Sequence, residues 1–248
     1  MGDRKDAGLS LLFAQGDRPG IDDVRQLLEK GRSGDAGFSI SHQPPVQEGW
    51  LELLSSGLTF DLCGLVPSAA PPRPSIAQYI GIPETPDVLA MEPVTLKPGP
   101  HLAGGEAMIP VIRVMVALAG QLAEALGARA IYWHPSGCCM DARYFSRVAE
   151  DWLFGGAFPA LGLTSIRERA GGGVESQGLA FFIGQEVSVD ALPREPTSEA
   201  VKLAVRAIDH LVRNGPLRSV ERYAMADDEW LVAEPSGDGR KVKLRREG

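Results

Sequence analysis

Three observations predict an α+β architecture for this chain. Short apolar runs of strand-like composition recur along its length. Helical periodicity returns in separate segments between them, and glycine- or proline-rich turns punctuate both. The 248 residues are 44% hydrophobic and 23% charged, the composition of a folded globular protein with chain enough for one large core or two small ones.

Taken in order, Leu9–Ala14 is an apolar run that reads as a buried strand. Asp22–Lys30 reads as a helix, with Val24, Leu27 and Leu28 on one face, acids at its start and Gly31 closing it. Phe38–His42 alternates and reads as a strand, Trp50–Leu54 as a short helical turn, and Leu58–Cys63, bracketed by Gly57 and Gly64, as a third strand. From Pro67 to His101 nine prolines argue against a long helix, yet Ile76, Tyr79, Ile80, Ile82, Val88 and Leu89 are too apolar for a free linker. This stretch is expected to be an ordered excursion packed over the domain surface.

Glu106–Leu126 is helical, with Pro110 near its start and Gly127 as its stop. Ile131–Trp133 follows as a strand. Asp141–Leu153 is an amphipathic helix with Asp141 as N-cap and Tyr144, Phe145, Val148, Trp152 and Leu153 along one face. Leu161–Arg169 and Val174–Ile183 read as a hairpin across Gly171–Gly173. Thr197–Arg213 is the clearest helix, stopped by Asn214–Gly215–Pro216. Arg218–Met225, Trp230–Ala233 and Lys241–Arg245 complete the chain as short strands.

That order is β-α-β-β-α-β up to Trp133, and the same again from Ile131 to Met225. It predicts ferredoxin-like (split βαβ) sheets in two related halves packed together, residues 1–127 with the excursion at 67–101, and residues 128–248. Residues 129–134 are claimed by both halves.

Charge narrows the function classes. A net charge of −7 gives no global basic field to hold a phosphate backbone, so no nucleic-acid partner is expected. The basic tail Arg240–Arg246 alternates charge with apolar residues and reads as a half-exposed edge strand. Val114–Gly120, the most apolar stretch, is bounded by Arg113 and Gln121. It is too short for a membrane span and reads as a buried helix. The N-terminus carries no secretory pattern. Three cysteines, Cys63, Cys138 and Cys139, have no framework spacing and suit a reducing compartment, so a cytoplasmic location is expected.

Around Trp133 the chain resembles a bacterial family, number four-two-six-one of the domain-of-unknown-function series. The likeness rests on a tryptophan ending a strand (Ala130–Trp133), the aromatic helix that follows (Tyr144–Phe145), and the segment Gln177–Glu186 with its Gly-Leu pair, Phe, Gly and Glu. It spans about residues 106–190, with Gly57–Asp61 in an upstream extension. The resemblance implies a shape and no established activity, and Cys138–Cys139 does not match its pattern.

The densest chemistry lies in Ala130–Asp141. Cys138 or Cys139, placed just before a helix start, is a candidate thiolate nucleophile, with His134 as base and Glu186 or Asp141 to orient it. The plainer reading packs the cysteines as small hydrophobes and lets His134 cap a strand end. Trp133, Ser136 and Glu186 are candidate binding residues, Glu186 most simply as an acceptor of loop amides. A zinc site from His134, Cys138 and Cys139 lacks the spaced second pair, so no metal or other cofactor is expected. Gly171–Gly173 lacks the residues of a phosphate loop, and Gly104–Gly105 is followed by Glu106. The acid pairs Glu150–Asp151, Glu168 with Glu175, and Asp227–Asp228–Glu229 read as solvated surface.

These readings predict a non-catalytic protein-interaction module, an adaptor or immunity-like factor with a protein partner. The alternative is a small hydrolase or transferase using a Cys/His centre at 134–139. A homo-oligomer through the basic C-terminal strand is a third expectation.

Overall fold

The computed structural model describes residues 7–30, 37–191, 196–224 and 230–247. The described residues form a mixed α+β protein of two multi-stranded sheets and seven helices, three of them single turns. Two compact units divide it, Met1–Gly156 and Ala157–Gly248. The boundary expected at 127/128 gives way to this later one because the strand at 130–133 pairs with the first strand of the chain. Gly31, Met225 and Asp227–Asp228–Glu229 lie outside the described residues.

The first unit contains β1 (Leu9–Phe13), α1 (Ile21–Lys30), β2 (Ser39–His42), β3 (Trp50–Ser55), β4 (Leu58–Cys63), β5 (Gln78–Ile80), α2 (Pro86–Leu89), β6 (Glu92–Pro98), α3 (Ile109–Leu126), β7 (Ala130–Trp133), β8 (Cys138–Asp141) and α4 (Ala142–Leu153). Its eight strands lie in the order β2-β3-β4-β6-β1-β7-β8-β5. Every pairing is antiparallel except β5 with β8.

Side chains alternate across a strand, so the register sorts them into two faces. One carries Leu51, Leu53, Phe60, Leu62, Val94, Leu96, Leu9, Leu11, Ile131 and Trp133, all fully buried. Over this face α3 packs against β4, β6, α1 and α4. By length and hydropathy α3 would suffice to cross a membrane, but 44% of it is buried inside the fold, where Ile112, Met115, Ala119 and Leu122 form a core surface.

The second face is covered in part by the proline-rich segment. Val88 and Met91, with Ile76, Tyr79 and Ile82, pack on Leu12, Ala130, Tyr132 and Cys139. The Tyr132 hydroxyl donates to the Ser75 carbonyl at 3.0 Å, and Arg73 donates to the carbonyls of Leu89 and Ala90. The excursion is therefore ordered over residues 75–91, but its last part is not surface at all. Glu92–Pro98 is β6, an interior strand between β4 and β1. Its prolines sit second and last, so Val94–Lys97 keep every backbone donor for the ladder.

Two further expectations are corrected here. Trp50–Leu54 is extended, not helical. Ser56 and Gly57 both take positive φ, the two-residue turn that closes a hairpin, and the alternation of Leu51 and Leu53 buries one side of β3. Cys138–Asp141 is strand β8, so the cysteines do not form the lead-in to a helix; that role falls to Asp141 alone, whose carboxylate accepts from the Tyr144 amide at 3.0 Å.

The second unit contains α5 (Ala160–Leu163), β9 (Ser165–Glu168), β10 (Val174–Gln177), α6 (Ala180–Ile183), β11 (Glu186–Val189), α7 (Thr197–Asn214), β12 (Glu221–Ala224), β13 (Trp230–Pro235) and β14 (Lys241–Glu247). Its sheet runs β12-β13-β14-β11-β10-β9, and α7 packs on β9, β10 and β11. Here the parallel pair, β11 with β14, is central, whereas the parallel pair of the first sheet lies at its edge, so the two sheets differ in plan. The basic tail is not an edge. As β14 it lies between β13 and β11, with Val242 and Leu244 buried and its cations in ion pairs with Glu175, Asp190, Glu234 and Glu247.

Two measurements check this architecture. In native-state hydrogen exchange the amides of Val94 and Leu96 should be among the slowest, and those of Ser39 and Ser41 on edge strand β2 among the fastest. Leu11→Ala should cost about 2–5 kcal/mol in denaturant unfolding, because Leu11 is fully buried between β6 and β7.

Candidate functional site

The β7–β8 hairpin turns through His134, Pro135, Ser136 and Gly137, closed by the pair Trp133 and Cys138. Gly137 donates to the Trp133 carbonyl at 3.0 Å and takes φ 72°, and a Cβ there would sit 2.9 Å from the Ala77 Cβ. Only glycine meets both demands. Its carbonyl in turn accepts from the Ala77 amide at 2.8 Å, tying the turn to the proline-rich segment.

The candidate residues fall in different environments. Trp133 is fully buried on the helix-covered face, and Ser136 is fully buried within the turn. Cys138 shares the face of Trp133, while Cys139 lies on the other face among Tyr132, Leu12 and Ala130. Adjacent residues of a strand point to opposite sides, so a vicinal disulfide has no route without breaking β8. Burial pushes each thiol up to about 12, with the neighbouring Cys139 adding to the effect on Cys138. A helix terminus that would lower them is not what they face.

His134 is engaged elsewhere. Its Nε2 lies 2.9 Å from the Ser10 hydroxyl, its ring is tilted against Tyr132 at 5.4 Å, and its amide donates to the Gly8 carbonyl at 3.1 Å. Ser10 also meets the Thr95 hydroxyl at 3.2 Å. A serine hydrogen-bonded to histidine is the start of a nucleophilic pair. Ser10, however, is only 3% exposed and is held by two partners, which leaves no room for an incoming acyl group. Gly8 belongs to the same row, because a Cβ there would press on the Leu96 carbonyl and the Lys97 Cβ at 3.0 and 3.3 Å. The sequence signal for Ser10 was present, a single hydroxyl inside an otherwise apolar strand. Thr95 was hidden in the proline-rich segment.

Glu186 belongs to the second unit and is occupied there. It accepts from the Ser176 hydroxyl at 2.5 Å and from the amides of Gly178, Leu179 and Ala180 at 2.8, 3.2 and 3.0 Å. Burial raises its pKa, and these four donors pull the other way. The carboxylate fills the amide cradle at the start of α6 itself, so no external anion is called for. Asp141 is likewise used as a helix cap. Among the described residues no group of three His, Cys, Asp or Glu side chains is placed to hold a metal ion.

Beyond the proline-rich cover, the second face of the first sheet continues across β6, β4, β3 and β2. Register places Glu52, Asp61 and Lys97 in one row across β3, β4 and β6, and Trp50, Cys63 and Thr95 in the next. Lys97 and His42 are exposed, while Trp50, Glu52 and Asp61 are half-buried. Burial raises the Asp61 pKa; Lys97 opposes this and Glu52 adds to it. Burial also raises the Cys63 thiol, again with Lys97 opposing and Asp61 adding.

Compared with protein-family models, with curated proteins and with solved structures, the chain matches none.

The thiol environment predicts that an alkylating agent at pH near 6 labels Cys138 and Cys139 more slowly than a model thiol; faster labelling would restore the nucleophile. Glu186→Ala should cost about 2–4 kcal/mol in unfolding of the second unit, since three amides and a hydroxyl lose one charged acceptor.

Proposed function

We propose that the protein is a non-catalytic interaction module that binds a protein partner through the open part of the first sheet. The observation that carries this reading is the distribution of its chemistry. The candidate nucleophiles are buried with raised pKa values, whereas Trp50, His42, Glu52, Asp61 and Lys97 lie together on a face that no helix among the described residues of the first unit covers. A Cys/His hydrolase needs an accessible thiolate, and the burial of both cysteines weighs against that alternative. Association through the C-terminal strand is disfavoured because β14 already has a neighbour on each side.

The same reading extends to the scaffold. In the first unit β1, α1, β4, β6, α3 and β7 follow one another as β-α-β-β-α-β, and their strands stand in the order β7-β1-β6-β4, all antiparallel. We take this as a split βαβ core of ferredoxin-like type, with the β2–β3 hairpin inserted and added to its edge. Such sheets commonly serve as platforms for binding, an argument by analogy. The resemblance of Gln177–Glu186 to the bacterial family is read in the same way, as a segment shaped by the Glu186 cradle. A cytoplasmic setting suits three cysteines that are all free.

Affinity capture of the tagged protein from its own cells, at low and high salt, tests the proposal. A near-stoichiometric protein partner released by salt is the expected result. Recovery of the chain alone at every salt concentration contradicts it.

A further inference from the structure

The open face carries like charges that are compensated in part: the Ser41 hydroxyl donates to Glu52 at 2.7 Å, and Lys97 lies beside Asp61. Glu52 and Asp61 are directly opposed on neighbouring strands. Like charges in that position repel, and Lys97 stands beside Asp61 on one side only. A third carboxylate, Glu48, accepts from the Trp50 indole N–H at 3.1 Å, which fixes the ring and places negative charge at its edge. His42 lies tilted against the indole, with ring centres 5.6 Å apart. Trp50 sits two residues from Glu52 on the same strand, so aromatic surface and carboxylates share one face.

We propose that this face docks a cationic extended segment of a partner protein, with a Lys or Arg side chain received between Trp50 and the Glu52–Asp61 pair. The inference rests on the interaction reading above and names the partner's chemistry. A cation over an indole is attracted by the ring, and more so where neighbouring carboxylates are partly desolvated. It also adds a second cation to an acid pair that Lys97 compensates on one side only. The chain's net charge of −7 favours encounter with a basic partner at long range.

The test uses a fluorescent synthetic peptide of alternating lysine and threonine, with a glutamate–threonine peptide as control, and reads anisotropy. The lysine peptide should bind the wild type, and the glutamate peptide should not. Glu52→Gln with Asp61→Asn should weaken the lysine peptide about tenfold or more, and Trp50→Leu should weaken it without changing net charge. Lys97→Glu should strengthen it. Asp22→Asn with Glu29→Gln on α1 removes the same charge elsewhere and should have little effect. Gln at position 52 keeps an oxygen acceptor for the Ser41 hydroxyl, so the Glu52/Asp61 variant should melt close to the wild type. Equal weakening by the α1 pair, or indifference of the peptide to Trp50 and the acid pair, overturns the site. Those outcomes leave the interaction reading standing if capture still yields a partner; loss of that partner is what would sink the reading itself.

Discussion

The double-sided burial of β1 is the constraint from which the first unit follows. Leu9, Leu11 and Phe13 are fully buried on one side, with Ser10 and Leu12 nearly so on the other, although the strand is flanked by β6 and β7. An antiparallel sheet with a solvated face needs only one helical layer. A strand buried on both faces needs two covers. On one side α3 and its neighbours supply the first. On the other the proline-rich segment supplies the second, fastened by Tyr132, Arg73 and Gly137 rather than by a helix of its own.

That second cover stops short of β2, β3 and β4, and its limits sort the chemistry. Where it lies, polar groups satisfy one another: Ser10 with Thr95 and His134, and Tyr132 with the Ser75 carbonyl. Cys139 of β8 is sealed there, Cys138 on the helix-covered face, and burial pushes both toward the inert thiol form. Beyond it, the row Glu52–Asp61–Lys97 and Trp50 face outward on a rigid sheet. A rigid sheet holds side chains at fixed spacing, so charge and aromatic surface can be offered to a partner with little ordering cost. On β14 of the second unit the cations are paired. Lys241, Lys243 and Arg245 are each matched by a carboxylate, which leaves that face balanced.

How far the sequence could be read depended on whether local pattern or distant pairing decided an element. Leu9–Phe13, α3, α4 and α7 announce themselves by apolar runs, caps and stops, and the structure follows them closely. Trp50–Ser55 misled because its apolar residues fit one helical turn as well as a strand, and only the Ser56–Gly57 turn and β4 decide. The prolines of Glu92–Pro98 suggested surface, but proline forbids only the donor at its own position, and the strand interior has none. The C-terminal strand looked like an edge since its alternation is that of any half-exposed strand; its neighbour β11 pairs with it across 55 residues of sequence, Glu186 with Lys241. For the site, His134 was legible as a polar residue at a strand end. Its partner Ser10 is more than a hundred residues earlier, and no local pattern joins them. The pairing of Glu52 with Asp61 depended on the hairpin that the helical reading of β3 had concealed.

Carboxylate footprinting of the captured complex bears most directly on the division between sealed and open halves of the second face. With water-soluble carbodiimide, Glu52 and Asp61 should be modified in the free protein and protected in the complex, while Glu175 and Glu234 of the second unit react equally in both. Protection of the second unit's acids with Glu52 and Asp61 still reactive would contradict the account, and would place the working surface on the other sheet.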